Sequence, residues 1–101
     1  MRKDQHPERN ENHCVWRVVG EEVIILSDHS RKIHVLNEVA AEIWKLCDGT
    51  KSLKDIVSVI TEEFDVDIET ADRDVAEFIE NMCRLNLLVL REKANEQRDT
   101  Q

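Results

Sequence analysis

Turn-forming residues are scarce in this sequence of 101 residues, which contains two glycines and one proline. A β-sandwich needs many turns, so the scarcity disfavours that architecture, and it excludes collagen-like and linker-like chains as well. No apolar run approaches the roughly 20 residues that span a bilayer, and the polar residues 1–12 lack the apolar region of a secretory signal. The composition therefore predicts one small cytoplasmic domain without a membrane partner.

Cysteines are few and lie far apart in the sequence. Cys14, Cys47 and Cys83 are an odd number of thiols and include no CxxC pair. Secreted disulfide frameworks use even numbers of cysteines, and zinc sites need ligands at short spacing. We therefore expect free, partly buried thiols in a reducing compartment, and no metal site.

Catalytic patterns are absent too. The sequence contains no GxGxxG, GxxxxGK[ST], HExxH or GxSxG motif, and no pair of nucleophile and base can be argued from spacing. His34 lies in a candidate strand, where we interpret it as a surface position. The chain is therefore expected not to be an enzyme, with no catalytic residue and no cofactor.

Acidic residues are abundant, and they concentrate in one segment. The formal net charge is −8, and residues 62–80 hold nine acidic residues against Arg73 alone. Such a segment repels phosphates and attracts basic groups, which disfavours nucleic acid as a partner. We interpret most of these acids as the solvated face of a helix.

The apolar pattern changes period near Asn37. Residues 15–19 are β-branched or aromatic apart from Arg17, and residues 23–26, which follow Gly20-Glu21, are all apolar. Residues 32–36 alternate as a third strand. These features predict a hairpin and a further antiparallel strand. Residues 87–90 form a short apolar run that indicates either a final strand or a packed tail.

After Asn37 the apolar residues recur with a helical period. Asn37, Ser52 and Asp67 are suitable N-caps for three helices, Asp48-Gly49 ends the first helix, and Asn86 ends the third. The sequence thus predicts a winged helix-turn-helix-like α+β domain, with a three-stranded antiparallel sheet followed by three helices. We place this domain at residues 14–91, between disordered tails at 1–13 and 92–101.

Residues 36–50, with the sequence LNEVAAEIWKLCDGT, resemble the signature of the PqqD family, the coenzyme PQQ synthesis protein D group. The continuation SLKDI at 52–56 also matches, as do Asp74-Val75 with Phe78-Ile79 and the closing Leu87-Leu88. The resemblance covers about residues 15–90, which is nearly the whole predicted domain.

This resemblance implies a non-catalytic peptide chaperone. PqqD-like domains bind the leader of a ribosomally made precursor peptide and present it to a modifying enzyme, a radical SAM protein in PQQ biosynthesis or another enzyme in related pathways. In the family the leader adds as a strand along the third strand, and its side chains enter a groove beside the third helix. Carried onto this sequence, the peptide-binding residues are Arg31, Lys32, Ile33, His34, Val35, Leu36, Ala71, Asp74, Val75, Phe78, Ile79 and Met82.

Several alternatives remain open from the sequence. The alternative interpretation of Val35, Val75 and Phe78 is that they are core residues, and the alternative for Lys32 and His34 is that they protect a strand edge. The helix order also allows a winged-helix DNA-binding regulator, although the second helix offers few basic residues. The oligomeric state is expected to be a monomer or a weak homodimer that pairs its own edge strands.

Overall fold

The order of the secondary-structure elements follows the change of apolar period. The computed structural model describes residues 1–28 and 31–92. Its elements are β1 His6–Arg9, β2 Cys14–Val19, β3 Glu22–Ser27, β4 Ile33–Leu36, α1 Glu38–Leu46, α2 Leu53–Phe64, α3 Ile68–Arg84 and β5 Leu88–Arg91. The predicted α+β fold, a three-stranded antiparallel sheet followed by three helices, is confirmed.

The three-stranded sheet has the spatial order β2-β3-β4, with β3 at its centre. Two residues connect β2 to β3, and the first of them, Gly20, has a φ of 62°. A two-residue hairpin loop favours glycine at such a position because the left-handed conformation costs it little. The register places Trp16 opposite Ile25, and Ile25 opposite His34, so these three side chains share one face of the sheet.

The three predicted N-caps are present. Asn37 accepts a hydrogen bond from the backbone N–H of Ala40 at 3.0 Å. Ser52 and Asp55 form a reciprocal capping box, with both N···O distances at 3.1 Å. Asp67 likewise starts α3 by accepting from Thr70. These caps satisfy N–H groups that have no partner within their own helices.

One apolar core joins the sheet to the helices. Trp44 is fully buried, as expected for the first helix, and its ring meets the Trp16 ring edge-on at 6.0 Å. Within the described residues, Trp44 Nε1 has no hydrogen-bond partner. The buried apolar residues are Cys14, Val23, Ile25, Leu36, Ala41, Ile43, Trp44, Cys47, Leu53, Ile56, Val57, Ile60, Ala71, Val75, Ile79, Met82, Leu87 and Leu88.

The N-terminal segment is part of the fold, so the expectation of a disordered tail at residues 1–13 is wrong. Strand β1 pairs antiparallel with β5, and Pro7 within it is buried. The segment also caps α2, because the N–H of Leu53 donates to the carbonyl of Gln5 at 3.0 Å. Polar side chains did not prevent ordering, since backbone groups of β5 and α2 supplied the hydrogen bonds.

Arg9 at the end of β1 fastens this segment to the core. Its Nη1 donates to the carbonyl oxygens of Trp44 and Lys45, each at 3.0 Å, and its Nε donates to Glu11 at 2.8 Å. Its guanidinium carbon lies 4.9 Å from the centre of the Trp16 ring. The guanidinium therefore caps the C-terminus of α1, where a positive charge is favourable.

The predicted lower boundary of the domain at residue 14 consequently moves towards the N-terminus. The predicted C-terminal tail at 92–101 lies outside the described residues beyond Glu92. Residues 87–90, predicted as a strand or a packed tail, contribute to β5, which pairs with β1 and lies outside the three-stranded sheet.

Deleting residues 1–9 is expected to destabilise the domain by roughly 3 kcal/mol, because several backbone hydrogen bonds worth about 1 kcal/mol each are lost. The measurement is the free energy of unfolding in urea. As a control, Lys3→Ala removes only the exposed ion pair between Lys3 and Asp72 and should change stability little. A deletion variant as stable as the full chain would contradict the structural role of β1.

Candidate functional site

Strand β4 is an edge strand, and a β-bulge sets the phase of its hydrogen bonds. The N–H of Ser27 donates to the carbonyl of Lys32 at 2.9 Å, and the N–H of Arg31 donates to the carbonyl of Ser27 at 3.1 Å. Arg31 has a φ of 56°. Two residues of one strand thus face one residue of the other, with the first in the left-handed conformation, as in a bulge.

The backbone groups of β4 alternate from this point. Bonded pairs recur at every second residue of an antiparallel ladder, so His34 and Leu36 bond to β3, opposite Ile25 and Val23. The N–H and C=O groups of Ile33 and Val35 therefore point away from the sheet. In the described residues no backbone group outside the sheet bonds to them.

The side chains of β4 alternate as well. Leu36 is buried and His34 is half-buried on the face that packs against α1, whereas Ile33 is 65% exposed and Val35 is 58% exposed on the opposite face. The core interpretation of Val35 is therefore wrong. His34 is not a fully exposed surface residue, because its alternation with Ile33 turns it towards the core side. Lys32 is exposed beside the bulge.

The candidate residues of α3 divide into two groups. Ala71, Val75, Ile79 and Met82 are at most 7% exposed and belong to the core. They repeat along one helical stripe, which confirms the core interpretation of Val75. Asp74 and Phe78 lie at the border of this stripe, with Asp74 exposed and Phe78 half-buried against the core. Only these two of the six candidates on α3 present much surface.

One flank of α3 is covered by the N-terminal segment. Lys3 Nζ lies 2.6 Å from Asp72 Oδ1, and a cleft between the segment, α2 and α3 is lined by Leu53, Val57 and Ala76. A helix turns about 100° per residue, which places Asp74, Phe78, Asn81 and Leu85 on the opposite flank. This open flank combines an acidic group with two apolar side chains, and Leu85 is 46% exposed.

Acidic groups on α3 keep the open flank negative. Asp74 pairs weakly with Arg73, at 3.8 Å, and both side chains are more than half exposed. At the start of the helix, hydrogen bonds from Thr70 lower the pKa of Asp67. Exposed acids beside a partly apolar strip suit a ligand that has both basic and apolar groups.

The apolar surface on the outer side of the sheet was not predicted from the sequence. Val15, Leu26 and Ile33 lie side by side there and are each at least 44% exposed. The signal was available, because residues 23–26 are all apolar, whereas a strand with one solvated face should alternate. A run of this kind indicates that both faces of β3 meet apolar surroundings.

The described cysteines are free and are not activated. Cys14 and Cys47 are buried, and Cys83 is half-buried. Burial raises the pKa of all three thiols, that of Cys47 to about 12, so the thiolate form needed for attack is disfavoured. In the part of the chain that the structure describes, no group of His, Cys, Asp and Glu could hold a metal ion.

Among the described residues, none of the helices has the length and apolarity needed to cross a bilayer.

The architecture defines a class of protein, a small winged helix-turn-helix-like domain with an open sheet edge. The family model of coenzyme PQQ synthesis protein D (PqqD) matches residues 22–88, which is more than half of the chain. The chain belongs to the PqqD family, as the signature at 36–50 had indicated.

A solved structure supports this assignment. The chain is similar to TbiB1, solved in complex with the TbiA(beta) leader peptide, with 27% sequence identity and a TM-score of 0.73. The match covers 80% of this chain and 93% of TbiB1. No curated protein matches the sequence. Neither the family nor TbiB1 favours a DNA-binding role.

The raised pKa of Cys47 predicts a loss of stability in alkali. Below pH 9 its thiol is neutral in both states. Above pH 9 the unfolded chain releases the proton while the folded protein holds it up to about pH 12, so unfolding becomes progressively easier as the pH rises.

The slope for this one thiol approaches about 1.4 kcal/mol per pH unit. The free energy of unfolding should therefore fall less between pH 8 and pH 10.5 in Cys47→Ala than in the native chain. Cys83→Ala, at a less buried thiol, is the control and should retain most of the decline. Equal declines in the native chain and Cys47→Ala would show that another group is responsible.

Proposed function

We propose that this chain is a non-catalytic recognition element that binds the leader of a ribosomally made precursor peptide as an additional strand on β4. The observation that carries the proposal is the open edge of β4, where Ile33 and Val35 direct their N–H and C=O groups out of the sheet. Membership of the PqqD family and the similarity to TbiB1, which was solved with a leader peptide, support it.

Strand addition fits the physics of this edge. Unpaired backbone groups on an edge strand are a template for another strand, and a peptide in extended conformation satisfies them. Such backbone pairing supplies affinity with little dependence on peptide sequence. Specificity must then come from the side chains of the protein beside the edge, which alternate between the two faces of the sheet.

On the helix side, we assign direct contact to Asp74 and Phe78. The buried residues Ala71, Val75 and Ile79, together with Met82, have a supporting role in this proposal, because they hold α3 against the core. The ligand would meet a surface made of the half-buried Phe78 ring and the exposed carboxylate of Asp74.

Lys32, His34 and Leu36 complete the binding strand. Leu36 and His34 hold it to β3 through their backbone groups, and the exposed Lys32 stands at its start. Arg31 lies at the bulge and lines a cleft with Glu11, Val15 and Leu26 at the end of the sheet. We therefore expect Arg31 to contact the ligand only at its terminus.

A recognition element of this kind acts together with an enzyme. We propose a radical SAM protein or another peptide-modifying enzyme as the partner, in PQQ biosynthesis or a related pathway. The domain itself is proposed to be a monomer or a weak homodimer, since β2 and β4 both end the sheet. Its free thiols suit a reducing compartment, and we propose the cytoplasm.

Val35→Pro tests the binding edge. Proline removes a backbone N–H, and at residue 35 that N–H points out of the sheet, so the bonds between β3 and β4 remain. Affinity for the leader should fall about tenfold or more, as expected for a lost hydrogen bond and the disturbed pairing around it. The measurement is an NMR titration of the labelled protein with the leader of a candidate precursor encoded near its gene.

Val18→Pro is the matched control because it alters β2, the opposite edge strand. Circular dichroism and thermal melting of both variants must first show that they fold. A folded Val35→Pro that binds the leader with native affinity would place the peptide elsewhere. Chemical-shift changes in the native protein should concentrate at residues 31–36 and around Asp74 and Phe78.

The acids of α3 should attract basic residues of the leader. Glu77 is an exposed acid three residues after Asp74 on α3. The double variant Asp74→Asn and Glu77→Gln is expected to weaken binding two- to fivefold at low salt and less at high salt, because exposed charges are screened. Calorimetric titration at two salt concentrations measures both effects. Glu62→Gln and Glu63→Gln on α2 remove the same charge and serve as the control. Equal losses from both pairs would indicate a general field effect.

A further inference from the structure

The outer face of the three-stranded sheet, the side turned away from α1, carries mostly apolar side chains, and its charged residues are Arg17 and Glu22. Val15, Leu26 and Ile33 form one row across the strands, and Arg17, Ile24 and Val35 form the next row, with Arg17 on β2, the strand farthest from β4. Val15 and Ile33 are each 65% exposed and Val35 is 58% exposed. The described part of the chain places no helix on this face, since α1 packs on the other side, where Val23, Ile25 and Leu36 are buried.

This exposure coincides with the open backbone edge. Ile33 and Val35 are the residues whose N–H and C=O groups point out of the sheet, and they are also the β4 residues whose side chains lie on the outer face. A strand that bonds to them must place a residue directly opposite each one. Opposed residues in a ladder project their side chains to the same face, with Cα atoms about 5.5 Å apart in a bonded pair.

We propose that the outer face at β4 is a second contact surface for the bound peptide, which is therefore recognised on both faces of the sheet. This inference depends on the proposed function, since it needs a peptide strand on β4. It assigns apolar residues, β-branched or aromatic, to the two peptide positions opposite Ile33 and Val35. These positions are separated by one residue, whose side chain turns to the inner side of the sheet, where α1 packs.

The row geometry supports this assignment. A peptide residue opposite Ile33 would extend the row of Val15, Leu26 and Ile33 by one apolar member. A peptide residue opposite Val35 would likewise extend the row that contains Ile24 and Val35. β-branched and aromatic side chains pair well across strands and suit a half-covered pleated surface. A polar residue at either position would leave the exposed side chain of β4 uncovered.

A second copy of this chain fits the outer face less well. Three strands at about 4.8 Å spacing and four residues at about 3.3 Å rise give roughly 200 Å² of sheet. A stable protein interface needs about 800 Å² from each partner. Two copies with a net charge of −8 each also repel one another. A peptide strand needs only the margin of the face and gains its remaining affinity from the backbone.

The test uses a random-sequence peptide library displayed on mRNA and selected for binding to the full chain. Peptides whose binding is lost in Val35→Pro occupy the β4 edge. Among them, two apolar positions separated by one residue should recur, and NMR contacts should place these opposite Ile33 and Val35. Edge-binding peptides with polar residues opposite Ile33 and Val35 would overturn the inference.

Protein variants provide an independent readout. Ile33→Thr with Val35→Thr retains β-branched side chains but reduces the apolar surface, and should weaken binding of a selected peptide roughly three- to tenfold. Val15→Thr is the matched control, because Val15 is as exposed as Ile33 but lies on β2, two strands away from β4. It should bind with native affinity. Thermal melting of each variant must first show that these exposed substitutions leave the fold intact.

The outcomes separate the inference from the proposed function. If Val35→Pro abolishes binding while the threonine variants bind normally, the peptide occupies β4 but is not recognised on the outer face, and only the inference fails. If Val15→Thr weakens binding as much as the β4 variants, the ligand covers the whole face or joins β2, which overturns it too. If no selected peptide depends on β4, both proposals fail.

Discussion

The phase of β4 is the constraint on which the candidate site depends. A strand alternates twice, once in the faces to which its side chains turn and once in the edges to which its backbone groups point, and both alternations have a period of two residues. In β4 the bulge at Arg31 and Lys32 fixes both together. A shift by one residue would bury Ile33 and Val35 and turn the backbone groups of His34 outwards. The same fixed phase lets Leu36 close the core and leaves two apolar residues on an open edge.

Long-range backbone pairing supports this arrangement from the opposite end of the chain. The N-terminal segment caps α2, forms β1 against β5, and covers one flank of α3 through Lys3 and Asp72. Arg9 then joins β1 to the end of α1 and to the Trp16 ring. Since these contacts occupy one flank of α3, the accessible surface of the helix is its other flank, which carries Asp74 and Phe78. The N-terminal segment therefore determines which flank of α3 is accessible.

Local features of the fold could be predicted from the sequence, and features set by distant pairing could not. Asn37, Ser52 and Asp67 were identified as caps because a cap depends on its neighbours within one turn. Strand β1 was missed because its partner lies about eighty residues away and its side chains have no apolar alternation, so only its backbone reveals its role. The bulge at Arg31 could not be predicted either, since nothing in the arginine side chain requires a left-handed backbone conformation.

The candidate residues on α3 show a different limit. Ala71, Val75, Ile79 and Met82 follow one helical stripe, and that periodicity already indicated a core face. A family resemblance assigns a whole segment to a site, whereas burial decides residue by residue. The burial of these four residues could therefore have been predicted from the sequence. The family resemblance had instead suggested that they contact the peptide. Phe78 could not be resolved in this way, because a residue at the border of a stripe is buried or exposed according to what packs beside it.

Recognition through a strand edge explains how such a domain can diverge in sequence and keep its mode of binding. The backbone of β4 presents the same donors and acceptors whatever its side chains are, so the edge requires only that the sheet forms and stays open. In the proposed mode of binding, the residues that distinguish one peptide from another are few, and they stand beside the edge on both faces. Ile33 and Val35 can change without loss of the fold because they are exposed, whereas Leu36 and Val75 cannot. A chain with 27% identity to TbiB1 can therefore share its architecture while differing in the peptide that it selects.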